Sequence, residues 1–294
     1  MLIIGKISGI NTNDGMINVL VNDGKGAIYN LKTDQETGKK FSISDVYEFD
    51  VEVKEGERTQ YFILSYKSIM DFSFEEKNQS LRDFYVSAPY SVKELESIIE
   101  KYTNSINNKI IKSITTKLLK ENHDDYFLYP AATKMHHAYI GGLAYHCVSM
   151  LKLADGVILA YPYLNKDYIY AGIMLHDIGK IKELSGIVAP EYSTEGQLIG
   201  HLVLGAMEIK MAAKELGYDD TEEAMLLEHM LISHHGMPQY GSAKKPLTAE
   251  ALVLWYVDSI DSKLRTLEGE LEKCESGSFT QPIGVLDKMK MYKA

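Results

Sequence analysis

The sequence predicts two domains of different fold class, a small all-β barrel followed by an all-α domain. Short runs of alternating hydrophobic residues, separated by turn signals, fill the stretch from Leu2 to about Met70. Helical periodicity dominates after Phe72, and all nine histidines lie in that later part. We therefore predict a barrel over residues 1–72, a linker over 73–90, a helical domain over 91–272 and an irregular tail over 273–294.

Composition excludes several classes of protein. With 294 residues, 45% of them hydrophobic and 24% charged, the chain is typical of a globular protein and unlike a disordered one. A net charge of −10 disfavours binding of nucleic acid or anionic lipid through bulk electrostatics, so a phosphate substrate would need a local positive device such as metal ions. The two cysteines are too few for a disulfide framework, which fits a cytoplasmic protein.

No membrane contact and no signal peptide are expected. The longest segment free of acidic and basic side chains, between Lys134 and Lys152, contains three histidines that a bilayer core would penalise. Residues 1–10 lack the order of charged, apolar and cleavage regions that marks a signal peptide. The sequence leaves open whether the chain forms a homo-oligomer.

Five runs in the first part have the pattern of β-strands. They are 2–10, 16–21, 26–31, 46–53 and 59–69. The turn sequences Asn13-Asp14-Gly15 and Asn22-Asp23-Gly24 separate the first three runs. Five strands in a domain of this size favour an OB-like barrel, with any other small five-stranded barrel or curled sheet as the alternative.

The second part is predicted to contain roughly seven helices. Ser91 and Glu94 have the spacing of a capping box before an apolar stripe, and a second stripe runs from Ile110 to Leu119. Further helices are expected over residues 139–160, 166–175, 195–216, 222–233 and 249–272.

The sharpest chemical signal is the segment His176-Asp177-Ile178-Gly179-Lys180, which ends an apolar helical run. Consecutive side chains can converge on one ion where a helix ends, and imidazole with carboxylate suits a divalent metal. For this pair alone, the alternative is a histidine that caps its helix beside an exposed aspartate.

Other residues of metal-ligand type lie in separate predicted helices. His146 follows the small residues Gly141 and Gly142, which allow a neighbouring helix to approach closely. Downstream come His201, the pair His234-His235, and Asp258. Helical bundles build metal sites from inward-pointing side chains of separate helices, so the set predicts a metal centre although a single histidine would not.

This ordered set resembles the ligands of the HD superfamily of metal-dependent phosphohydrolases. The resemblance implies two divalent ions per chain, with Asp177 as the catalytic carboxylate that bridges them. One ion would be held by His146, His176, Asp177 and Asp258, and the other by Asp177, His201, His234 and His235. Two such ions clamp a phosphodiester and activate water, so hydrolysis needs no nucleophilic side chain.

A closer resemblance is to the YhaM-type family of bacterial 3'-5' exoribonucleases. It is carried by the segments 88–90, 136–143, 194–201 and 233–236. The resemblance implies an OB-fold domain that binds nucleic acid, an HD domain, and release of nucleoside monophosphates from single-stranded RNA, with single-stranded DNA as a second substrate. Mn²⁺ is the first expectation for the metal, and Mg²⁺, Fe²⁺ and Co²⁺ are alternatives. One departure is the acidic first part, where residues 1–85 contain 14 Asp and Glu against 10 Lys and Arg.

Four residues are candidates for supporting roles in the second domain. We expect Lys180 to contact a substrate phosphate, with a solvated surface lysine as the alternative. Asp261 lies one helical turn after Asp258, which suits it to orient a histidine or, alternatively, to ligate a metal. His136 and His137 precede the first ligand helix and are candidates for phosphate contact.

Two further choices follow from spacing. Adjacent Tyr61 and Phe62 must point to opposite faces of their strand, and we choose Tyr61 as the exposed residue that stacks on a base. His229 lies five positions before His234, about 140° around a helix, so we leave it out of the metal set.

The leading functional hypothesis is a metal-dependent 3'-5' exoribonuclease. A second hypothesis keeps the HD chemistry but replaces the polymer with a small nucleotide or a cyclic dinucleotide. A third makes the chain a nucleic-acid-binding regulatory factor with a non-catalytic HD domain. The complete ligand set argues against the third hypothesis, and metal content distinguishes it from the other two.

Overall fold

The computed structural model of the chain describes residues 1–13, 15–133 and 138–294. It contains two compact units, Met1–Ser87 and Ala88–Ala294. The first unit is a β-barrel and the second is helical. This confirms the predicted fold class, a small all-β domain followed by an all-α domain.

Five strands form the barrel. They are β1 (Leu2–Asn13), β2 (Met16–Asn22), β3 (Ile28–Thr33), β4 (Val46–Lys54) and β5 (Gln60–Ser68). The barrel closes in the order β1-β2-β3-β5-β4, and β4 returns to pair with β1. Neighbouring strands are antiparallel except β3 and β5, which run parallel. The five predicted strands therefore form the OB-like barrel that their number favoured.

Alternation along the strands fills the interior of the barrel. The fully buried side chains there include Ile7, Val19, Val21, Leu31 and Phe49. Burying a side chain of this size stabilises a fold by roughly 1.5–3 kcal/mol relative to leaving it exposed. A short helix, α1 (Gln35–Gly38), connects β3 to β4. The barrel therefore has its own apolar core.

Residues 73–90, predicted as a linker, contain a helix. This helix is α2 (Phe74–Phe84). At its start the Glu76 carboxylate accepts hydrogen bonds from the backbone N–H and the hydroxyl of Ser73, at 3.3 and 2.7 Å. Because the first compact unit extends to Ser87, α2 belongs to the barrel unit.

The second unit is built from longer helices with short helical turns between them. They are α3 (Val92–Ser105), α4 (Lys109–Glu121), α5 (His123–Leu128), α6 (Gly142–Ala160), α7 (Lys166–Leu175), α8 (Lys180–Glu183), α9 (Thr194–Leu198), α10 (His201–Glu215), α11 (Glu222–Ser233) and α12 (Ala249–Glu272). The bounds predicted for α7, α11 and α12 match the structure. Asn165, Thr221 and Thr248 precede these helices and cap them by accepting a backbone N–H.

The single helix predicted over 195–216 is wrong. The structure divides it into α9 and α10 at Gly200, which has a φ of 80° that an α-helix does not use. Oε1 of Glu183 accepts the backbone N–H of His201 at 3.0 Å and so caps the new helix start. Similarly, the helix predicted from residue 139 begins only at Gly142, after Gly141 with a φ of 73°.

Helix α6 passes through the core of the second unit. Among the described residues it is the one helix long and apolar enough to cross a bilayer, but 50% of that apolar window is buried inside the protein. Its buried residues include Leu143, Val148 and Leu151, together with His146. Burial of this kind is what a core helix shows, and it fixes the position of His146 firmly.

The last residues of the chain are irregular apart from one reversal. Isolated bridges pair Phe279 with Tyr292 and Ile283 with Met289. Between the inner pair lies a 3-10 turn, Gly284–Leu286. This turn borders the cavity described below.

Candidate metal centre

Asp177 lies at the centre of a cluster of imidazole and carboxylate groups. It is the second residue after the end of α7 and is buried. Its Oδ1 is 3.4 Å from Nε2 of His201 and 3.8 Å from Nε2 of His234. Its Oδ2 is 3.2 Å from Nε2 of His176 and 2.7 Å from Nζ of Lys180. The two oxygens therefore face different partners within the cluster.

Helices α6 and α12 supply the second part of the cluster. Nε2 of His146 is 3.2 Å from Oδ1 of Asp258, and the opposite nitrogen, Nδ1, is 2.7 Å from Oδ2 of Asp261. The two aspartates lie one turn apart on α12, so a single helix holds both sides of one ring. The side chain of Asp261 is 3% exposed. It contacts the ring on the side opposite Asp258, and its role in orienting the ring stays a prediction.

The other four imidazoles of the cluster are also held through Nδ1 by acceptors outside it. The Nδ1–H groups of His176, His234 and His235 donate to the backbone oxygens of Ile173, Leu231 and Tyr240 at 2.8, 2.7 and 2.8 Å, and Nδ1 of His201 lies 2.9 Å from Oε1 of Glu183. When such a ring is neutral, its one proton lies on Nδ1 and Nε2 keeps a free electron pair, the form that binds a metal.

Four buried atoms of the cluster have no hydrogen-bond partner among the described residues. They are Nε2 of His176, His201 and His234, and Oδ1 of Asp177. A buried polar atom left unpaired costs roughly 1–3 kcal/mol, and proteins rarely keep several together unless an ion or water completes them. Imidazole nitrogens with carboxylate oxygens are ligands for first-row divalent metals, so these residues fit such an ion.

The ligand atoms form three overlapping groups, within each of which all atoms lie within 4.8 Å of one another. The groups are His146, His176 and Asp258; His176, Asp177 and His234; and His201, His234 and His235. Because His176 and His234 each belong to two groups, the ligands form one continuous surface. All seven residues predicted as ligands are present in it.

Burial and neighbouring charges keep three of the candidate ligands deprotonated. Burial lowers the pKa of His234 and of His235, so both rings stay neutral near pH 7. Burial raises the pKa of Asp177, but the neighbouring His176 and Lys180 outweigh it and hold that pKa well below its usual range. Asp177 is therefore an anion in the folded protein.

The situation at His146 is the opposite. Burial lowers its pKa, but the hydrogen bonds to Asp258 and Asp261 outweigh burial and raise the pKa to about 9. The ring is therefore protonated near neutral pH when no cation replaces the proton. A metal ion held by His146 would have to displace this proton.

Comparison with known proteins places the chain. An HD-domain family model matches residues 143–263, which include His146, Asp177 and Asp258. The protein named 3'-5' exoribonuclease YhaM of Bacillus licheniformis is 42% identical over 219 residues, 74% of this chain and 69% of the relative. The chain belongs to the YhaM family. The proteins of the same name from Bacillus subtilis (41% over 219 residues, 74% and 69% of the two chains) and Geobacillus sp. (44% over 211 residues, 72% and 65%) are also similar.

In this YhaM-family chain a cavity of about 690 Å³ borders the ligand cluster, with His146, Asp177 and Asp258 in its wall. Lys180 also lines it. Nζ of Lys180 donates to the backbone oxygen of Ala131 at 2.7 Å, and its side chain is only 17% exposed. The alternative of a solvated surface lysine therefore does not hold.

Three other predicted or excluded residues have separate outcomes. His136 and His137 lie outside the described residues. His229, which we left out of the metal set, accepts the backbone N–H of Leu247 through Nε2 at 3.0 Å, so that nitrogen is engaged away from the cluster.

Glu183 is a site residue that the sequence did not reveal. It reaches His201 across the segment that contains α9, so no periodic spacing links the two. The sequence offers only an indirect signal for Glu183, the glycine at position 196. A Cβ at Gly196 would lie 2.4 Å from the Glu183 backbone oxygen, which means that the glycine permits this close approach.

In the barrel of this YhaM-family chain, Tyr61 faces inward and Phe62 faces outward. Tyr61 packs on the barrel core and meets Tyr29 edge-on, with ring centroids 5.6 Å apart. The Nζ atoms of Lys54 and Lys32 lie 4.8 and 5.8 Å from the ring centroid of Phe62. This corrects the choice of Tyr61 as the exposed aromatic residue.

Proposed function

We propose that the chain is a metal-dependent 3'-5' exoribonuclease that hydrolyses single-stranded RNA to nucleoside monophosphates in the cytoplasm. The observation that carries the proposal is the continuous surface of seven ligands around Asp177, with four inward-facing atoms that lack a partner among the described residues. The direction of hydrolysis and the RNA substrate rest on the name that the relatives carry.

Two divalent ions per chain are proposed, and Mn²⁺ is the first candidate. His146, His176, Asp177 and Asp258 would hold one ion, and Asp177, His201, His234 and His235 the other. Bound there, the ions would supply charge stabilisation to the phosphate and an activated water. The ligand types are compatible with Mg²⁺, Fe²⁺ and Co²⁺ as well, since selection among these metals depends on availability as much as on affinity.

The chain's own groups then have distinct tasks. Asp177 supplies one oxygen to each half of the ligand surface. Nζ of Lys180 lies 2.7 Å from Asp177 and lines the cavity, so it is placed to donate to a non-bridging phosphate oxygen. Asp261 and Glu183 hold the rings of His146 and His201 in place and do not themselves need to touch substrate.

The barrel is proposed to hold the RNA upstream of the cleaved end. Phe62 offers an outward aromatic ring, and Lys32 and Lys54 place positive charge beside it. A ring of this kind stacks on any base, and the lysines attract the phosphates on either side. The first 85 residues have an acidic net charge, which by itself does not favour RNA binding. This local patch would provide positive charge where the RNA binds.

The proposal is tested with single-stranded RNA labelled at either end, purified protein and Mn²⁺. We expect stepwise shortening from the 3' end, release of nucleoside monophosphates, and loss of both in an Asp177→Ala variant. Asp220→Asn, an exposed carboxylate outside the site, is the control and should leave hydrolysis unchanged. No shortening by a fully metallated protein would favour the small-nucleotide hypothesis, and absence of bound metal would favour the regulatory one.

A further inference from the structure

The cavity beside the metal centre carries aromatic side chains that metal chemistry does not require. Tyr192, Tyr240 and Trp255 line it together with the ligands. Tyr192 and Tyr240 are 53% and 64% exposed, so they are not core residues. Large exposed rings in a concave site are a common feature of ligand pockets, and a volume of about 690 Å³ suits a small ligand.

Tyr240 is fixed to the metal centre through its backbone. Its carbonyl oxygen accepts the Nδ1–H of His235 at 2.8 Å, and its own N–H donates to the oxygen of Met237 at 2.9 Å. It ends a 3-10 turn, Pro238–Tyr240, in which proline restricts the backbone. The exposed ring is therefore attached to a rigid segment at a set distance from the ligand His235.

Tyr192 is held on a different segment. A bridge pairs it with Leu184, directly after Glu183, and the backbone N–H of Ser185 donates to the oxygen of Glu191 at 2.8 Å. The side-chain amide of Gln197 donates to the backbone oxygen of Tyr192 at 3.2 Å. Both tyrosine rings are thus presented to the cavity by backbone that also supports residues around the metal ligands.

We propose that Tyr192 and Tyr240 form a stacking subsite for the base of the 3'-terminal nucleotide. This inference rests on the proposed function, because it assumes that the phosphate of that nucleotide lies at the metal centre. The base of a nucleotide whose phosphate lies at the metal centre would then lie in the same cavity, which Tyr192 and Tyr240 also line. Stacking on a ring needs no hydrogen-bond pattern, so the subsite accepts any base and prefers purines, which have the larger ring surface.

The chain contains a built-in reporter for this subsite. Trp255 is its single tryptophan and lines the same cavity, so we expect its fluorescence to change when the cavity is occupied. The experiment titrates AMP, UMP and ribose 5-phosphate into the Mn²⁺-loaded protein and follows this fluorescence, with competition against AMP for any ligand that gives no signal.

We expect AMP to bind more tightly than UMP, and UMP more tightly than ribose 5-phosphate, which has no base. Tyr240→Ala and Tyr192→Ala should each weaken AMP binding by about 5- to 100-fold and leave ribose 5-phosphate binding unchanged. Tyr240→Phe and Tyr192→Phe should bind AMP as the wild type does, because the ring is retained. Tyr163→Ala, a 77% exposed tyrosine that does not line the cavity, is the matched control.

The proposal is overturned if both alanine variants bind AMP within twofold of the wild type. It is also overturned if the phenylalanine variants lose as much affinity as the alanine variants, since the hydroxyl and not the ring would then carry the binding. Ring-dependent AMP binding by a protein that leaves RNA intact would support the subsite and contradict the exonuclease. Normal RNA shortening with AMP binding that does not depend on the rings would support the exonuclease and contradict the subsite.

Discussion

Nδ1 of His146 lies 2.7 Å from Oδ2 of Asp261, while Nε2 of the same ring lies 3.2 Å from Asp258. Both aspartates belong to α12, so one face of one helix fixes the orientation and the charge of this imidazole. The same logic recurs around the cluster, where each ligand ring is anchored by an acceptor behind it. The arrangement predicts that residues behind the ligands control metal affinity.

Replacing Asp261 with Asn should weaken metal binding without removing a ligand. The amide preserves the shape but loses the charge that makes the His146 ring basic, and loss of such a contact costs about 10- to 100-fold in metal affinity. Mn²⁺ titration of the metal-free protein measures the change, and excess Mn²⁺ should restore much of the activity. Unchanged affinity in this variant would mean that Asp261 has no part in positioning His146.

Glu183→Gln should act on the other side of the cluster. Oε1 of Glu183 accepts from the N–H of His201 at 3.0 Å and lies 2.9 Å from its Nδ1, so the variant keeps an acceptor but loses the charge. We expect the affinity for the ion held by His201 to fall about tenfold, so that this ion dissociates while the free metal concentration is still high enough to retain the other ion. Metal content after dialysis measures this. Glu208→Gln, whose carboxylate pairs with Lys182, is the control and should keep both ions.

Metal uptake should release protons near neutral pH. The hydrogen bonds to Asp258 and Asp261 keep the pKa of His146 at about 9 against the effect of burial, so an entering ion displaces a proton from this ring. Apparent Mn²⁺ affinity should therefore rise between pH 7 and 9. The stabilisation that protonated His146 gives the metal-free fold is fully present below pH 6.5 and is lost as pH rises through about 9.

Calorimetry of Mn²⁺ binding at pH 7.5 in two buffers of different ionisation enthalpy counts the released protons. At least one per chain is expected. A heat of binding that does not depend on the buffer would show that His146 is already neutral and would contradict the assigned role of the two aspartates.

Phe62→Ala should weaken RNA binding without affecting mononucleotide binding. Loss of a base–aromatic stack costs about 1–3 kcal/mol, and Phe62 is not among the residues packed on the barrel core. Filter binding of a single-stranded RNA to the full chain measures the loss, and thermal unfolding checks the fold. Leu64→Ala is the matched control, since Leu64 is an outward apolar residue of the same strand and is 63% exposed. Equal losses in the two variants would argue against stacking.

The sequence was sufficient for several helices whose deciding contact is local. The starts of α7, α11 and α12 follow from the capping side chains Asn165, Thr221 and Thr248, which bond within the next three residues. The candidate ligand residues could be named because their order in the chain resembles that of the HD superfamily. These features need no knowledge of distant contacts.

The sequence was insufficient where a distant group decides. The break at Gly200 is stabilised by Glu183, which lies on a different helix, so helical periodicity alone continued through it. The facing of Tyr61 and Phe62 depends on how β5 pairs with β3 and β4, because alternation says that they differ but not which one is inside. The backbone acceptors of His176, His234 and His235 have no side-chain signature at all.

His146 and Asp258 are 112 positions apart in the chain, so an ion held by both would cross-link distant parts of the second unit. Such cross-links obey mass action, and a free metal concentration of a hundred times Kd adds about 2.7 kcal/mol to the free energy of unfolding. The barrel closes through strand pairing, and none of the candidate ligands lies in it. Metal supply would therefore set how much folded enzyme persists against heat and proteolysis, as well as how fast each molecule works.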